Sequence, residues 1–168
     1  SLSTELEKVR KASERRILAK SYVEFVERGP GNVAGRTRGL IVDPDDPAHL
    51  TWYAGTASGG LWKTTDGGEN WECLSDDLPY QTTTTLAMAK SNHNVIYMGT
   101  GESFPGSIQS TGGGVLRSAD RGVTWDHLDA TSNNEDFRYI NRIEVDPEND
   151  SILLVASNAG ILKSIDAG

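Results

Sequence analysis

Residues 59–71 read GGLWKTTDGGENW, and the same pattern returns as GGVLRSADRGVTW at 113–125 and as AGILKSIDAG at 159–168. Each copy has two apolar residues, a basic residue, Ser or Thr, any residue, Asp, any residue and Gly, and the first two copies continue to a Trp. The three Asp residues are 54 and 46 residues apart. Repetition at such a period indicates one supersecondary unit per copy.

Two short runs rich in β-branched and aromatic residues precede each copy and predict two strands. Every unit therefore has three predicted strands, a tight turn and a fourth strand. A four-stranded propeller blade takes about 40 to 50 residues, and an insertion at 103–112 accounts for the longer interval. We predict an all-β fold, a partial β-propeller of about two and three-quarter four-stranded antiparallel blades. Complete blades are expected at 36–75 and 83–128, and an incomplete blade at 139–168.

The two ends of the sequence fall outside these complete units. Residues 1–21 predict a short N-terminal helix or linker, because Thr4 and Glu7 fit a capping box; a helix that docks on a partner is the alternative. The partial propeller is predicted over 22–168. Its first strand, at 22–28, is interpreted as the outer strand of the last blade of a closed ring. Because Gly168 comes before the Trp expected of the third copy, we expect the remaining blades to follow in the native protein.

The composition excludes several classes of function. The chain has 168 residues, of which 36% are hydrophobic and 24% charged, as in a globular domain. Its formal charge of -8 argues against a nucleic-acid partner, because phosphate contacts need clustered Lys and Arg. No run approaches the roughly 18 apolar residues of a transmembrane helix, so no membrane span is predicted. The His residues lack ligand spacing and the glycine-rich segments lack the context of a phosphate loop, so neither a metal nor a cofactor is expected.

The three copies resemble the Asp-box of bacterial neuraminidase (BNR) repeats. In physical terms, the Asp carboxylate is expected to accept backbone N–H groups across the turn, Gly to supply a positive φ, and Trp to pack between blades. These residues are therefore interpreted as structural, and a catalytic role for one of the Asp residues is the alternative. The structural set is Thr64, Asp66, Gly68, Trp71, Ser118, Asp120, Gly122, Trp125, Ser164, Asp166 and Gly168.

More of the chain, about residues 22–168, is similar to the secreted bacterial sialidase-like β-propellers. The similarity lies in Gly29-Pro30-Gly31-Asn32, Gly35-Arg36-Thr37-Arg38, Asp43-Pro44, Tyr53-Ala54-Gly55-Thr56 and Gly99-Thr100-Gly101-Glu102. It implies an exported protein, located outside the cell or at its surface. It also implies a ligand site on the face opposite the Asp-boxes, where the second unit carries its insertion. The candidates on that face are Arg36, Arg38, Tyr80, Glu102, Phe104 and Gln109.

The resemblance leaves the choice between enzyme and binding module open. A sialidase is expected to use an arginine cluster, but Arg-Ile-Pro is absent and Thr85 is predicted to stand where Arg38 does in the first blade. Xyloglucan-cleaving propellers are expected to have an Asp where this chain has Ala57. Glu102 is the weak catalytic candidate, and an inverting glycosidase would need a second carboxyl about 6.5–9.5 Å from it, from Asp76, Asp77 or Asp136.

We therefore favour a non-catalytic extracellular module. It would bind a glycan or a protein through exposed aromatic residues such as Tyr80 and Phe104, or present other domains. The alternative is a glycoside hydrolase, sialidase-like or glucanase-like, with its site on the face opposite the Asp-boxes. For Arg36 and Arg38, pairing with acidic neighbours is the alternative to binding a substrate.

Overall fold

The computed structural model describes Val26 and residues 36–103 and 109–168. The predicted helix at 1–21, the strand at 22–28 except for Val26, and the candidate Phe104 lie outside these residues. Among the residues described, no helix is long and apolar enough to cross a membrane.

The described chain is almost entirely β-structure, in three antiparallel sheets that follow one another along the sequence. Blade 1 contains β1 (Thr37–Val42), β2 (Trp52–Thr56), β3 (Gly60–Thr64) and β4 (Glu72–Cys73). Blade 2 contains β5 (Thr83–Met88), β6 (Ile96–Thr100), β7 (Val115–Ser118) and β8 (Asp126–His127). Blade 3 contains β9 (Ile140–Val145), β10 (Leu153–Ser157) and β11 (Gly160–Ser164). Two short 3-10 helices, Asp129–Thr131 and Glu135–Phe137, connect blades 2 and 3.

Within each blade, sequential strands are neighbours, as in an up-and-down meander. The predicted all-β propeller fold is confirmed. The strand register corrects one detail, because Leu40 pairs with Ala54 as Leu86 pairs with Met98. The residue of blade 2 that corresponds to Arg38 is consequently Thr84, one position before the Thr85 expected. The first strand of each blade, which we call its inner strand, has an irregular register near its start in blades 1 and 2. This irregularity displaced the sequence alignment by one residue.

The hydrophobic core lies between the blades. One cluster joins blades 1 and 2 through Tyr53, Leu61, Ile96, Met98 and Leu116. A second joins blades 2 and 3 and contains Ala89, Val95, Tyr97, Val115, Ile140, Ile143, Leu153 and Val155. Blade 2 is therefore apolar on both of its sides, which is why its strands do not show simple alternation of apolar and polar residues.

Two glycines set the distance between neighbouring blades. A Cβ atom on Gly55 would lie 2.5 Å from Cγ2 of Thr83, and one on Gly99 would lie 2.6 Å from Cγ2 of Ile140. Both glycines occupy the same position in the second strand of their blade, opposite Leu61 and Val115 respectively. The next inner strand can approach only because these positions carry no side chain.

The alternating strand directions divide the connections between two faces. Turns after the first and third strands share one face, which we call the aspartate-turn face because residues 64–71, 118–125 and 164–168 lie there. Connections after the second and fourth strands share the other, which we call the opposite face. It includes the start of β1 and residues 101–103 and 109–114 between β6 and β7.

Candidate functional site

The aspartate turns are held by hydrogen bonds within each turn. Oδ1 of Asp66 accepts bonds from the backbone N–H groups of Glu69 and Asn70, both at 2.9 Å. The Thr64 hydroxyl donates to Asp66 at 2.7 Å and accepts from the N–H of Gly68 at 3.0 Å. The indole of Trp71 donates to the Gly68 carbonyl at 3.1 Å.

The second copy repeats this geometry, and the third repeats the bonds of its Ser hydroxyl group. Asp120 accepts from the N–H of Thr124 at 2.8 Å, and Trp125 donates to the carbonyl of Gly122 at 3.1 Å. Ser164 donates to Asp166 at 2.8 Å. Bonds from the side chain and the backbone N–H of Thr124 lower the pKa of Asp120 to about 2. A carboxyl with this pKa holds no proton at neutral pH, so it cannot act as a general acid.

The aspartate-turn face also carries an ion-pair network between blades 1 and 2. Arg121 binds Oδ2 of Asp43 at 2.8 Å through Nη1 and contacts Asp45 through Nη2. Nδ1 of His93 lies 2.7 Å from Asp45, and hydrogen bonds from His93 and Arg121 hold the pKa of Asp45 below its ordinary value. The hydroxyl of Tyr53 donates to the backbone carbonyl of Arg121. The turn of blade 2 is thereby fixed to blade 1.

On the opposite face, the two arginines and the glutamate predicted as candidates lie together. Nη2 of Arg36 is 2.6 Å from Oε2 of Glu102, and Nη1 of Arg38 is 3.8 Å from Oε1. The Glu102 side chain is only 3% exposed, whereas that of Arg36 is 60% exposed. The contacts of Arg36 and Arg38 with Glu102 join the start of β1 in blade 1 to the end of β6 in blade 2.

The backbone around Glu102 is fixed by its neighbours. Glu102 and Ser110 exchange backbone hydrogen bonds of 2.8 and 2.9 Å. The Ser110 hydroxyl lies 2.6 Å from that of Thr82, which directly precedes β5 of the same blade. Gly101 has a φ of +84°, and a Cβ atom there would collide with the carbonyl oxygen of Arg138. The backbone that carries Glu102 is therefore held in place by neighbouring segments.

The carboxyl group of Glu102 lies beside the guanidinium groups of Arg36 and Arg38. In the part of the chain that is described, none of Asp76, Asp77 and Asp136 is hydrogen-bonded to Glu102. Its Oε1 atom is buried and has no hydrogen-bond partner, although Arg38 lies nearby.

Tyr80 lies elsewhere on the opposite face, in a polar hollow of about 230 Å³ between blades 2 and 3. Its ring packs where a side chain at Gly113 would be, and it is tilted against the ring of His127, with 6.1 Å between the centroids. Gln109 is exposed and accepts a hydrogen bond of 3.4 Å from the hydroxyl of Tyr139. The hollow is lined by Tyr80, Thr111, Gly112, Gly113, Thr131, Asn133, Asn134, Glu135 and Arg138.

Several residues of this face were not predicted from the sequence. Ser110 positions Glu102, Arg138 accepts the backbone bond of Gly112, and Tyr139 contacts Gln109. The run Gly112-Gly113-Gly114 was the available signal, since consecutive glycines mark a place where other chain segments approach closely. No group of three or more His, Cys, Asp or Glu side chains within 36–103 and 109–168 is arranged to hold a metal ion.

No protein-family model matches the chain, and no curated protein matches it. Solved structures do resemble it. An ancestral GH74 enzyme has a TM-score of 0.66 at 24% identity, over 82% of this chain and 18% of that one. The GH74 xyloglucanase from Xanthomonas campestris has a TM-score of 0.56 at 23% identity, over 80% of this chain and 20% of that one.

A second kind of propeller resembles the chain as well. YCF48 bound to D1 peptide has a TM-score of 0.56 at 15% identity, over 82% of this chain and 39% of that one. At these identities the similarity shows the propeller fold alone. The chain spans less than two thirds of each of these proteins, between 18% and 39% of their length.

Proposed function

We propose that this chain is a non-catalytic propeller module that binds an acidic peptide segment through the opposite face. The observation that supports the proposal is the pairing of a buried carboxylate, Glu102, with an exposed guanidinium, Arg36. We also propose that its repeats are Asp-boxes of the sialidase-like class, that it is exported to the cell surface or beyond, and that further blades of the same polypeptide complete the ring.

Arg36 is well suited to receive a carboxylate. A guanidinium carries five N–H donors in a rigid planar fork, and one of its nitrogens is used by Glu102. Because that bond already orients the side chain, less conformational entropy is lost when a ligand binds. Glu102 also neutralises part of the charge, so the site favours a directional hydrogen bond over general attraction of anions.

The rest of the face suits an extended peptide. The hollow near Tyr80 has room for a side chain, and its polar lining includes Asn133, Asn134 and Arg138, the last paired with Glu135. YCF48, whose fold is similar, has been solved with a bound peptide. A glycan is the other ligand class for such a face, because a tyrosine ring beside polar groups can also stack on a sugar.

The test is a selection of displayed peptides on the immobilised chain, followed by binding measurements with two variants. We expect peptides with Asp, Glu or a free C-terminal carboxylate to be enriched. Arg36→Gln should weaken the binding of these peptides roughly tenfold or more. The control is Arg121→Gln, which removes an arginine that also binds a nearly buried carboxylate but lies on the aspartate-turn face. Equal binding to the wild type and Arg36→Gln would contradict the proposal, as would binding confined to a glycan array.

A glycoside hydrolase is the second candidate, supported by the GH74 fold neighbours and by the unpartnered Oε1 atom of Glu102. The test is incubation of the native protein and of Glu102→Gln with xyloglucan and with sialylated oligosaccharides. Release of sugar that disappears in Glu102→Gln would support the hydrolase. No release, or release unaffected by the substitution, would support the binding module.

A further inference from the structure

The polar hollow beside Tyr80 is formed by two segments that are longer in blade 2 than in blade 1. Three residues join β2 to β3, whereas fourteen join β6 to β7. Nine residues separate β4 from β5, whereas twelve separate β8 from β9. The two longer segments meet at the hollow, with Thr111 and Gly112 on one side and Asn134 and Arg138 on the other. Insertions on one face of a repeat protein often form its binding surface.

In blade 1 the corresponding connection is closed by a carboxamide. Nε2 of Gln81 donates to the backbone carbonyl groups of Ser75 at 2.8 Å and Leu78 at 3.1 Å. A Cβ atom on Gly60 would lie 2.9 Å from Oε1 of the same side chain. The Gln81 side chain therefore fills the space between the start of β3 and the segment that joins β4 to β5.

Arg138 occupies the position that corresponds to Gln81. Each of these residues stands two positions before the inner strand of the next blade. The backbone carbonyl of each also accepts an N–H group from the preceding blade, that of Gly60 for Gln81 and that of Gly112 for Arg138. The Arg138 guanidinium, however, is paired with the exposed Glu135. The connection between β8 and β9 therefore has a hollow where the connection between β4 and β5 has a carboxamide.

The lining of the hollow favours one uncharged polar side chain. Its volume of about 230 Å³ is smaller than most pockets for whole small molecules. Because Arg138 and Glu135 are paired with each other, a charged side chain gains little there. An aliphatic side chain would displace water from polar groups without replacing its hydrogen bonds. A carboxamide has two N–H donors and an acceptor, which match the hydroxyl groups of Tyr80 and Thr111 because a hydroxyl both donates and accepts.

We propose that the hollow is a specificity pocket for a glutamine side chain of the bound peptide, whose carboxamide takes the place that Gln81 fills in blade 1. This inference rests on the proposed binding of an acidic peptide at Arg36. The two sites are connected through Glu102 and its neighbour Gly101, where a Cβ atom would lie 2.1 Å from the Arg138 carbonyl oxygen. The path is roughly 10 Å long, which an extended peptide covers in about three residues.

The test uses the acidic peptides selected on the chain. We expect glutamine to be enriched about three positions from the acidic residue. In one such peptide, replacement of the glutamine by Ala, Glu or Leu should weaken binding roughly fivefold or more, as measured by fluorescence anisotropy.

Two variants of the chain locate the effect. Arg138→Gln gives the hollow a carboxamide of its own, as in blade 1, so the glutamine and alanine peptides should bind this variant equally. Arg142→Gln is the matched control, because it also removes an exposed arginine that is paired with a nearby glutamate, and it should keep the difference between the two peptides.

Equal binding of the glutamine and alanine peptides to the wild type, with binding still weakened in Arg36→Gln, would overturn this inference and leave the proposed function intact. Enrichment of Lys or Arg in place of glutamine would also overturn it. A difference between the two peptides that persists in Arg138→Gln would show that glutamine is recognised outside the hollow. If no peptide depends on Arg36, the proposed function fails and this inference fails with it.

Discussion

At the scale of single residues, each face carries an ion pair between an arginine and a nearly buried carboxylate, but the two arginines differ in exposure and in their other contacts. Arg121 and Arg36 both join blades 1 and 2 by binding a nearly buried carboxylate, Asp43 or Glu102. Arg121 also binds Asp45 and donates from Nε to Asn94, so its guanidinium is occupied by the protein. Arg36 is far more exposed than Arg121. We therefore expect Arg36 to bind a ligand and Arg121 to stabilise the fold.

This difference predicts unequal losses of stability. Arg121→Gln should lower the free energy of unfolding by about 1–3 kcal/mol, because Asp43 is left buried without its cation. Arg36→Gln should cost less, because Arg38 stays near Glu102, whereas Arg121→Gln also removes the contacts with Asp45 and Asn94. Urea denaturation measures both. A greater loss in Arg36→Gln would reverse the roles assigned to the two arginines.

The aspartate turns predict a specific loss of stability in acid. The pKa of Asp120 is about 2 in the folded chain, against an ordinary 3.8, so its ionised form stabilises the fold. This contribution is complete above about pH 3.8 and is lost as the pH falls toward about 2. Asp120→Asn should therefore lower Tm at pH 6 and differ little from the wild type at pH 2.

Circular dichroism melts between pH 2 and 7 measure this effect. Glu148→Gln, which changes an exposed carboxyl outside the turns, is the control and should follow the wild type throughout. A gap between Asp120→Asn and the wild type that stays constant across the pH range would show that the Asp120 charge does not stabilise the turn.

At the scale of the strand and turn, the sequence predicts local structure better than contacts between blades. The aspartate turns follow from spacing alone, because every partner of Asp66 lies within four residues of it. The order of strands also follows from the repeats. The Arg36–Glu102 and Arg121–Asp43 pairs join residues 66 and 78 positions apart, so they depend on how one blade packs against the next.

The glycines of β2 and β6 give the prediction at this scale. Gly99→Val should lower the free energy of unfolding by about 1–3 kcal/mol or more, since its side chain would enter space held by Ile140 and Thr85. The matched control is Ala156→Val, at the same position of β10, where no described blade packs. Thermal melts compare the two. A loss as large in Ala156→Val would show that strand geometry, and not blade contact, requires the glycine.

For the whole molecule, the outer sides of blades 1 and 3 are apolar without a described neighbour. Leu40 is 62% exposed, whereas its counterpart Leu86 packs in the cluster between blades 1 and 2. Ile161 is 78% exposed, whereas its counterpart Val115 is fully buried. Each exposed residue thus occupies a position that faces another blade elsewhere in the chain.

These surfaces predict that the 168-residue chain associates with itself at micromolar concentration. Leu40→Lys and Ile161→Lys should each increase the monomer fraction in sedimentation velocity. Val123→Lys, at an equally exposed residue of an aspartate turn, should leave it unchanged. If the wild-type chain is monomeric at all concentrations tested, the apolar sides of blades 1 and 3 do not drive self-association, and the prediction is wrong.

The central claim is that ligands bind to the face opposite the aspartate turns. The most direct measurement is amide hydrogen exchange of the native protein with and without a saturating selected acidic peptide. We predict protection at Arg36, Glu102 and Ser110 and unchanged exchange at residues 66–70 and 120–124. Protection confined to those two turns, with none near Glu102, would contradict the claim.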